Sequence, residues 1–431
     1  MTSARPSGGS VRLRPRYEFN RPGQSVPLLV CDADLDGSPI GRTEIWLSMT
    51  RGLRIQWRSS SLDSSISLGS STMSVPHPEL GAQQLTVSVN HNDGSGHVMN
   101  ADLSTSNQVS DVITHWVNLP MILPARTLTE GSRTWAGRWS TEAAGWILTL
   151  DSRKDLSEIL QLARREDEEF TITHVGELRR TGGEEFNKEE AEDVLFGWQL
   201  AMSFALGRWV TPSLPVGLDS SGRKVWERWT SWRGDTMTGY QSWWDSHTGN
   251  DLAVFVRQFL VMYLDEEQGP VLRYLAMHMI AANHSGTTGE ARVMLAQAGL
   301  EYLAWVDMRL SGRMSRSQYK DLDAQQRLRV LLEDAGIPAA VPPDLDSLSQ
   351  VAEEHDLDGP GVVTWVRNRL VHPKDPGEPY RLEGLVWQAA QLLLEYGELL
   401  TLHRIGYRGR FARRYPPGRW AHLAEPVPWS L

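Results

Sequence analysis

The sequence predicts an α+β multidomain protein: an N-terminal antiparallel β sandwich or barrel-like domain followed by an all-α C-terminal half. Three observations carry this. The chain has 431 residues, more than one ordinary core organises, so two or three domains are expected. Up to about Arg180, short runs of alternating apolar and polar residues are separated by turn residues. From Asn187 onward apolar residues recur at the helical period instead.

Composition narrows the class. A hydrophobic content of 40% is that of a globular protein. The net charge of −10 means that the surface as a whole does not attract nucleic acid, so such a site has to be a local basic patch. Cys31 is the one cysteine, which excludes an internal disulfide or a cysteine-based zinc site and agrees with a reducing cytoplasm. The segment Met1 to Arg16 lacks the apolar core of a signal peptide, and no run approaches a transmembrane span, so no membrane association is expected. The 18 tryptophans point to large cores.

Taken in order, residues 1–21 are expected to be disordered, being rich in Ser, Gly, Pro and Arg. A β-rich domain follows over 22–185. Glu44 to Met49 and Leu53 to Trp57 alternate around Thr50-Arg51-Gly52, which predicts a hairpin. Leu85 to His91, ending in Asn92-Asp93-Gly94, and Val112 to Leu119 continue the alternation. Thr134 to Trp139 and Trp146 to Leu150 form a second expected hairpin, and Phe170 to Val175 a further strand. Asp155 to Arg165 reads as a short amphipathic helix between strands. Asp32, Asp34, Asp36 and Gly37 imitate the start of a calcium loop, but Thr43 stands where a glutamate is needed and Pro39 interrupts it, so a turn is expected.

A helical middle region is expected over 186–285. Asn187 and Glu190 have capping-box spacing ahead of Ala191, Leu195, Trp198, Met202, Ala205 and Trp209. Pro212, Pro215, Gly217 and Gly222 then read as a loop leading to the aromatic stretch Trp226 to Trp244. Trp226, Trp229, Trp232, Trp243 and Trp244 are expected to pack between domains. Over 286–431 a helical bundle with a basic C-terminal tail is expected, with helices near 289–310, 319–335, 345–355 and 381–404.

Within that bundle lies Trp365-Val366-Arg367-Asn368-Arg369-Leu370-Val371-His372-Pro373. Gly359-Pro360 starts this helix and Pro373 stops it. Val362, Val366 and Leu370 fall on one face, and Thr364, Asn368 and His372 on the opposite one. Arg367 and His372 are about 140° apart on the wheel, so they converge on one phosphate only if the arginine wraps round or a second copy contributes. The residue types suit metal-free cleavage of RNA. Imidazole exchanges protons with a 2′-hydroxyl or leaving oxygen near neutral pH, and guanidinium grips phosphate in two places. Spacing alone is weak, since an arginine five residues ahead of a histidine is expected about once by chance at this composition. Arg273 to His278 is indeed a second instance. What distinguishes Arg367 is the asparagine after it, the Leu-Val-His-Pro ending and the long helix that follows.

At these residues the chain resembles the HEPN superfamily (higher eukaryotes and prokaryotes nucleotide-binding domain). Its motif is an arginine, a polar residue, and a histidine four to six residues beyond the arginine. The helix ending Leu394 to Tyr407, and the order of a β-rich domain before a helical one, are similar to ApeA-like abortive-infection proteins. The resemblance covers roughly residues 286–415. It implies a bacterial, cytoplasmic, metal-independent endoribonuclease without cofactor, acting as a homodimer whose two motifs face each other. It further implies toxic RNA cleavage in antiphage defence, with Arg367 and His372 catalytic and Asn368 supporting them. Members without activity serve as dimerisation and nucleotide- or RNA-binding modules, which is the alternative reading. The partners implied are an RNA substrate, a second copy of the chain, and an unidentified trigger ligand for the β domain.

Other candidates are local. The tail His403 to Trp420 holds six arginines and no acid, with Tyr407, Phe411 and Tyr415 interleaved. Arg404, Arg408, Arg410, Arg413 and Arg414 are therefore candidate RNA-backbone contacts. Glu301 is expected to be a solvated helix acid, with holding Arg367 as the alternative. His278 and His284, with Asn283, lack the carboxylate partner of a metal site, and no glycine-rich phosphate loop or nucleophile elbow occurs.

Overall fold

The structure is a computed structural model that describes residues 10–61, 69–90, 94–165, 169–237, 241–375, 377–415 and 424–430. The expected turn at Asn92-Asp93, most of the disordered N-terminus expected before Ser10, and the tail beyond Tyr415 up to Trp420 lie outside the described residues. Contacts divide the chain into two units, Met1–Gln199 with Val210–Thr238, and Leu200–Trp209 with Gly239–Leu431.

The first unit is built on antiparallel strands. β1 (Gly23–Leu35), β2 (Ser38–Met49), β3 (Arg54–Ser59), β4 (Gly69–His77), β5 (Gly81–Val89) and β6 (Ser95–Ser104) pair in the ring β1-β2-β3-β6-β5-β4 and back to β1. The ring is a closed six-stranded barrel, which leaves no free edge within it. Alternation along each strand fills the interior: Ile55 and Trp57 from β3, Met73 and Val75 from β4, Leu85 and Val87 from β5 are all buried. The acidic Asp32 to Gly37 segment is the β1–β2 hairpin. Asp36 and Gly37 both take positive φ (49° and 82°), the backbone that a two-residue turn between right-twisted strands requires.

The sheet continues from β6 through seven more strands. They are β7 (Asp111–Val117), β8 (Arg126–Glu130), β9 (Arg133–Ala143), β10 (Trp146–Ser152), β11 (Ile172–Arg180), β12 (Thr211–Leu218) and β13 (Lys224–Thr230), in the spatial order β6-β13-β12-β7-β11-β10-β9-β8. α1 (Leu156–Arg165) buries Leu156, Ile159, Leu160 and Ala163, the amphipathic stripe expected. α2 (Lys188–Leu206) starts at Asn187, whose Oδ1 accepts from Glu190 N at 2.8 Å; Glu190 Oε1 accepts from the Asn187 side-chain Nδ2 at 2.9 Å and not from its backbone N–H, so the expected capping box is half formed. Trp198 of α2 lies edge-on to Trp116 of β7 at 4.8 Å.

Three sequence expectations change here. The first is the N-terminal disorder: residues 10–21 are ordered. Ser10–Val11 pairs in parallel with β8. Arg16 and Tyr17 donate their backbone N–H groups to His115 Nε2, both at 3.1 Å, and the buried Asn20 side chain bonds Phe170 O and Ile172 N. Polar composition suggested disorder, but side-chain bonds to strand backbone tie the segment down. The second is the loop expected at Pro212 to Gly222: Thr211–Leu218 is strand β12, and the start of the aromatic stretch after it is strand β13, both inside the sheet. Third, the helical middle region divides between the units, because β12 and β13 belong to the first and the helices after Gly239 to the second.

The second unit is helical: α3 (Gly249–Tyr263), α4 (Gly269–Asn283), α5 (Gly289–Ala304), a π-helical turn (Trp305–Leu310), α6 (Arg316–Asp321), α7 (Ala324–Asp334), α8 (Asp346–His355), α9 (Gly359–Val371) and α10 (Leu385–Arg404). α10 is buried nearly all round, as its sequence predicts for a central helix. α4, α5 and α9 pack against it. Gly289 at the start of α5 abuts Val386, and Arg404 at the end of α10 reaches Asp307, so α5 and α10 run the same way. Gly359 at the start of α9 abuts Tyr396, so α9 runs against them. The C-terminal end of α9 therefore meets the N-terminal ends of α5 and α10. Trp226 and Trp229 are buried in the first unit, and Trp243 and Trp244 in the second. Trp243 packs edge-on to Phe255 at 4.8 Å and Tyr407 at 5.4 Å. These tryptophans are core residues of their own units.

Candidate functional site

α9 carries the arginine–asparagine–histidine motif, and its ends are fixed by identifiable contacts. Asp358 is the N-cap: its Oδ1 accepts from Gly361 N at 2.9 Å while both oxygens are held by Arg329, at 2.7 and 3.0 Å. Burial pushes the Asp358 carboxyl up, but the Arg329 bond and the Gly361 N–H outweigh it, and the net shift is downward. Gly359 is required by crowding, since a Cβ there would meet the Tyr396 hydroxyl and the Ala339 carbonyl. At the other end Pro373 ends the helix. His372 has left helical geometry (φ −128°, ψ 65°), although its N–H still donates to Asn368 O at 2.8 Å.

The faces fall nearly as the wheel predicts. Of the expected apolar face Val362 and Val366 are fully buried and Leu370 is half-buried, while Val363 is buried beside them. Asn368 and His372 are exposed. Thr364, expected on the polar face with them, is 7% exposed, so that face opens only over its last two turns.

Arg367 is half-buried. Its Nη1 donates to Asn368 Oδ1 at 3.1 Å, and its Nε is buried without a hydrogen-bond partner among the described residues. It makes no ion pair among the described residues, and neither does His372. No hydrogen bond joins Arg367 to His372 among the described residues. Glu301 does not hold Arg367; it accepts from Gln297 Nε2 at 3.1 Å.

Neighbouring arginines are all engaged. Arg369, passed over in the sequence, pairs with Glu378 at 2.7 Å and lies 4.9 Å over the Trp365 ring, which stacks on His355 at 5.1 Å. Its signal was the Trp365–Arg369 spacing of one helical turn. Arg381 pairs with Glu354 at 2.6 Å, and Tyr380 donates to Glu290 at 2.9 Å across the start of α5.

The tail arginines are mostly internal. Arg404 pairs with Asp307 at 2.5 Å and donates to Gln268 at 2.6 Å. Arg410 donates to the Ala424 carbonyl, and Arg413 pairs with Glu425 at 2.6 Å. Arg414, expected among the RNA contacts, is instead 1% exposed. It forms a two-pronged pair with Glu398 (2.8 and 2.6 Å) and donates to Asn283 Oδ1 at 2.9 Å and Gln391 Oε1 at 3.2 Å. Acids distant in sequence and close in space neutralise the run that reads as basic. Of the five, Arg408 alone is exposed with no partner among the described residues. Among the described residues no group of His, Cys, Asp and Glu is arranged to hold a metal ion, and no helix is long and apolar enough to cross a membrane.

The molecule is thus a two-unit α+β protein with a barrel-bearing sheet and a helical bundle that displays an arginine–histidine helix end. Residues 104–240 match the family model described as the YopA central domain, and residues 265–424 match the YopA C-terminal domain. The sequence is 27% identical over 311 residues to the SPbeta prophage-derived uncharacterized protein YopA of Bacillus subtilis (strain 168). The match covers 71% of this chain and 69% of that protein. No solved structure matches the chain. The first match starts at the end of β6, so β1 to β5 lie outside both matched regions.

Proposed function

We propose that the helical unit is a HEPN-type, metal-independent endoribonuclease that works as a homodimer, with Arg367 and His372 catalytic and Asn368 positioning Arg367. One observation carries the reading. In a bundle whose arginines Arg369, Arg381 and Arg404 are engaged by carboxylates, Arg367 bonds a carboxamide and no carboxylate among the described residues. It stands at the same helix end as an exposed histidine.

The chemistry needs both residues twice. A neutral His372 imidazole takes the proton from the RNA 2′-hydroxyl, and the 2′-oxygen bonds to the adjacent phosphorus. The bond from phosphorus to the 5′-oxygen breaks, and the leaving oxygen takes a proton from the imidazolium of the second copy. Products are a 2′,3′-cyclic phosphate and a 5′-hydroxyl end. The Arg367 guanidinium holds the phosphate oxygens as charge builds on them. The step requires a 2′-hydroxyl, hence RNA. Cytoplasmic action follows from the substrate, and the prophage origin of the Bacillus subtilis relative is in keeping with a role in conflict between phages. The β unit would receive the trigger.

The test is incubation of the full chain with labelled RNA in EDTA. Wild type is expected to leave cyclic-phosphate ends, with Arg367→Ala and His372→Ala each slower by at least about a hundredfold. Cleavage that is unchanged in both variants, or that needs Mg²⁺, overturns the assignment. A folded wild type that binds RNA and never cuts it would favour the binding-module alternative, for which the lack of a hydrogen bond between Arg367 and His372 among the described residues is the supporting observation.

A further inference from the structure

The opposite end of α5 carries a second site. The bundle's α5 helix is 16 residues long, so its C-terminal end is about 24 Å from its N-terminal end, where Glu290 accepts from Tyr380 of the segment after α9. At its C-terminal end the helix widens into the π turn Trp305–Leu310, a geometry uncommon outside functional sites. Beside it opens a cleft of about 470 Å³ lined by Trp305, Arg309, Arg316, Tyr319, Lys320 and Arg327, together with Leu310. No carboxylate lines it. Arg309, Arg316 and Lys320 have no ion pair among the described residues. Arg327 lies 4.1 Å over the Tyr319 ring and donates to its carbonyl at 2.9 Å. On a chain of net charge −10, four cations line one cleft whose lining holds no carboxylate, the nearby Glu301 acting on Tyr319 from outside it, so a bound anion would relieve their mutual repulsion.

The second feature is aromatic. His278 stacks on Tyr274 at 4.0 Å, Tyr302 lies tilted by 35° against Tyr274 at 4.0 Å, and Trp305 follows Tyr302 at 6.1 Å with the same tilt, leaving the exposed Trp305 as the ring at the cleft. Trp305 is 41% exposed and Tyr274 37%, so this file of rings runs along the surface to the lip of the cleft. Planar rings leading into a cationic cleft are what a polynucleotide single strand requires: faces for bases and charges for successive phosphates. The file is longer than one base, which favours a strand over a free nucleotide.

We propose that this surface binds a single-stranded polynucleotide, with a base on Trp305 and adjoining phosphates on Arg309, Arg316 and Lys320. The site is separate from the cleavage chemistry and does not rest on it. Sequence reasoning missed it because the cations are spread from Arg309 to Arg327 over three elements, and none forms a run.

Fluorescence anisotropy of the full-length protein tests the site with fluorescein-labelled oligo(dT) and oligo(U) dodecamers, the RNA in a His372→Ala background. Uncut DNA keeps the result independent of cleavage, and the two probes separate a DNA-binding from an RNA-binding surface. The double variant Arg316→Glu/Lys320→Glu changes exposed side chains. It is expected to weaken binding at least about tenfold and to flatten the salt dependence by about 1.4 in log–log slope, as for two lost phosphate contacts. Trp305→Ala is expected to cost about fivefold or more, as for one stacked base. Circular dichroism establishes that the variants fold. Three results overturn the proposal: variants that bind like wild type, a duplex of equal length that binds as tightly as the single strand, or strands that bind no tighter than uridine monophosphate.

Discussion

Arg414 and Arg367 are both bundle arginines, and their surroundings give them opposite roles. Arg414 is enclosed by Glu398, Asn283 and Gln391, while its own N–H donates to Glu395 Oε2 at 2.9 Å. Tyr415 adds a 2.7 Å bond to the same Glu395. The pair staples the segment after α10 to α10 and α4. Breaking one partner of a buried pair strands the other charge, so Arg414→Ala is expected to destabilise the bundle by about 3–5 kcal/mol in urea unfolding. Arg414→Lys should not rescue it, because an ammonium cannot fill the fork. A loss below about 1 kcal/mol would show that the network is ornamental. Histidines make the corresponding case in the β unit. His115 Nε2 accepts two backbone N–H groups, with Nδ1 donating to Leu214 O at 3.2 Å, so the ring has no place for a second proton. Burial pushes its pKa down to about 4, and that of His174 to about 3. Both values lie below the unfolded value of about 6.5, so their contribution is complete above that pH and is lost as pH falls toward the folded pKa. Each ring then costs up to about 1.4 kcal/mol per pH unit. Glu227, whose carboxyl is pushed up to about 8 by burial, pulls the other way over the same window, so the test is by variant: His115→Gln is expected to lessen the fall of the β unit's melting temperature between pH 6.5 and 4.5, and a fall equal to that of wild type would contradict it.

At the level of elements, what the sequence disclosed depended on whether a pattern was local. The β2–β3 hairpin, α1, the Asn187 cap of α2 and α9 are each written in consecutive residues, and each is present. β12 was not legible, because Thr211–Leu218 contains two prolines and a glycine yet is buried throughout. Its pairing with β7 shifts register between Ser213 and Val216, and Leu214 between them takes φ 47°. The irregularity accommodates Pro215, which has no N–H to give the ladder. Barrel closure was equally hidden, since it rests on β1 pairing with β4 and β3 with β6, strands that are not neighbours in the chain. In the candidate site, Arg367, Asn368 and His372 were readable as one helix end. That the tail arginines meet Asp307, Glu425 and Glu398 was not, for those acids are remote in sequence. The α9 start offers an element-scale test. Asp358→Ala removes a cap and an Arg329 partner together and is expected to cost about 1–2 kcal/mol, read as a lower urea midpoint at unchanged slope. Asp358→Asn, which still caps, should recover about half of that. Equal losses in both would place the stabilisation in the Arg329 pair.

For the whole molecule the decisive quantity is the number of copies. A single chain joins Arg367 to His372 by no hydrogen bond among the described residues, and cleavage by the proposed route needs a second motif facing the first. The end of the bundle that carries them also exposes apolar side chains: Val371 at 36%, Tyr380 at 57% and Trp387 at 40%. Scattered exposed apolar residues mean little, but three at one end, beside the proposed catalytic groups, suit a two-fold interface in which each copy covers the other. A stable dimer has to bury about 1,200–2,000 Å² in total, so these residues would be its centre and not its whole extent. Sedimentation equilibrium of the full chain is expected to show a dimer at micromolar concentration. Trp387→Glu combined with Val371→Asp should give a monomer with an unchanged far-UV spectrum and no cleavage. If dimerisation and catalysis are one event, wild-type activity per chain should fall with dilution and return on concentration. A wild type that is monomeric at every concentration and still cuts RNA would separate the two, and would require Arg367 to reach His372 within one chain.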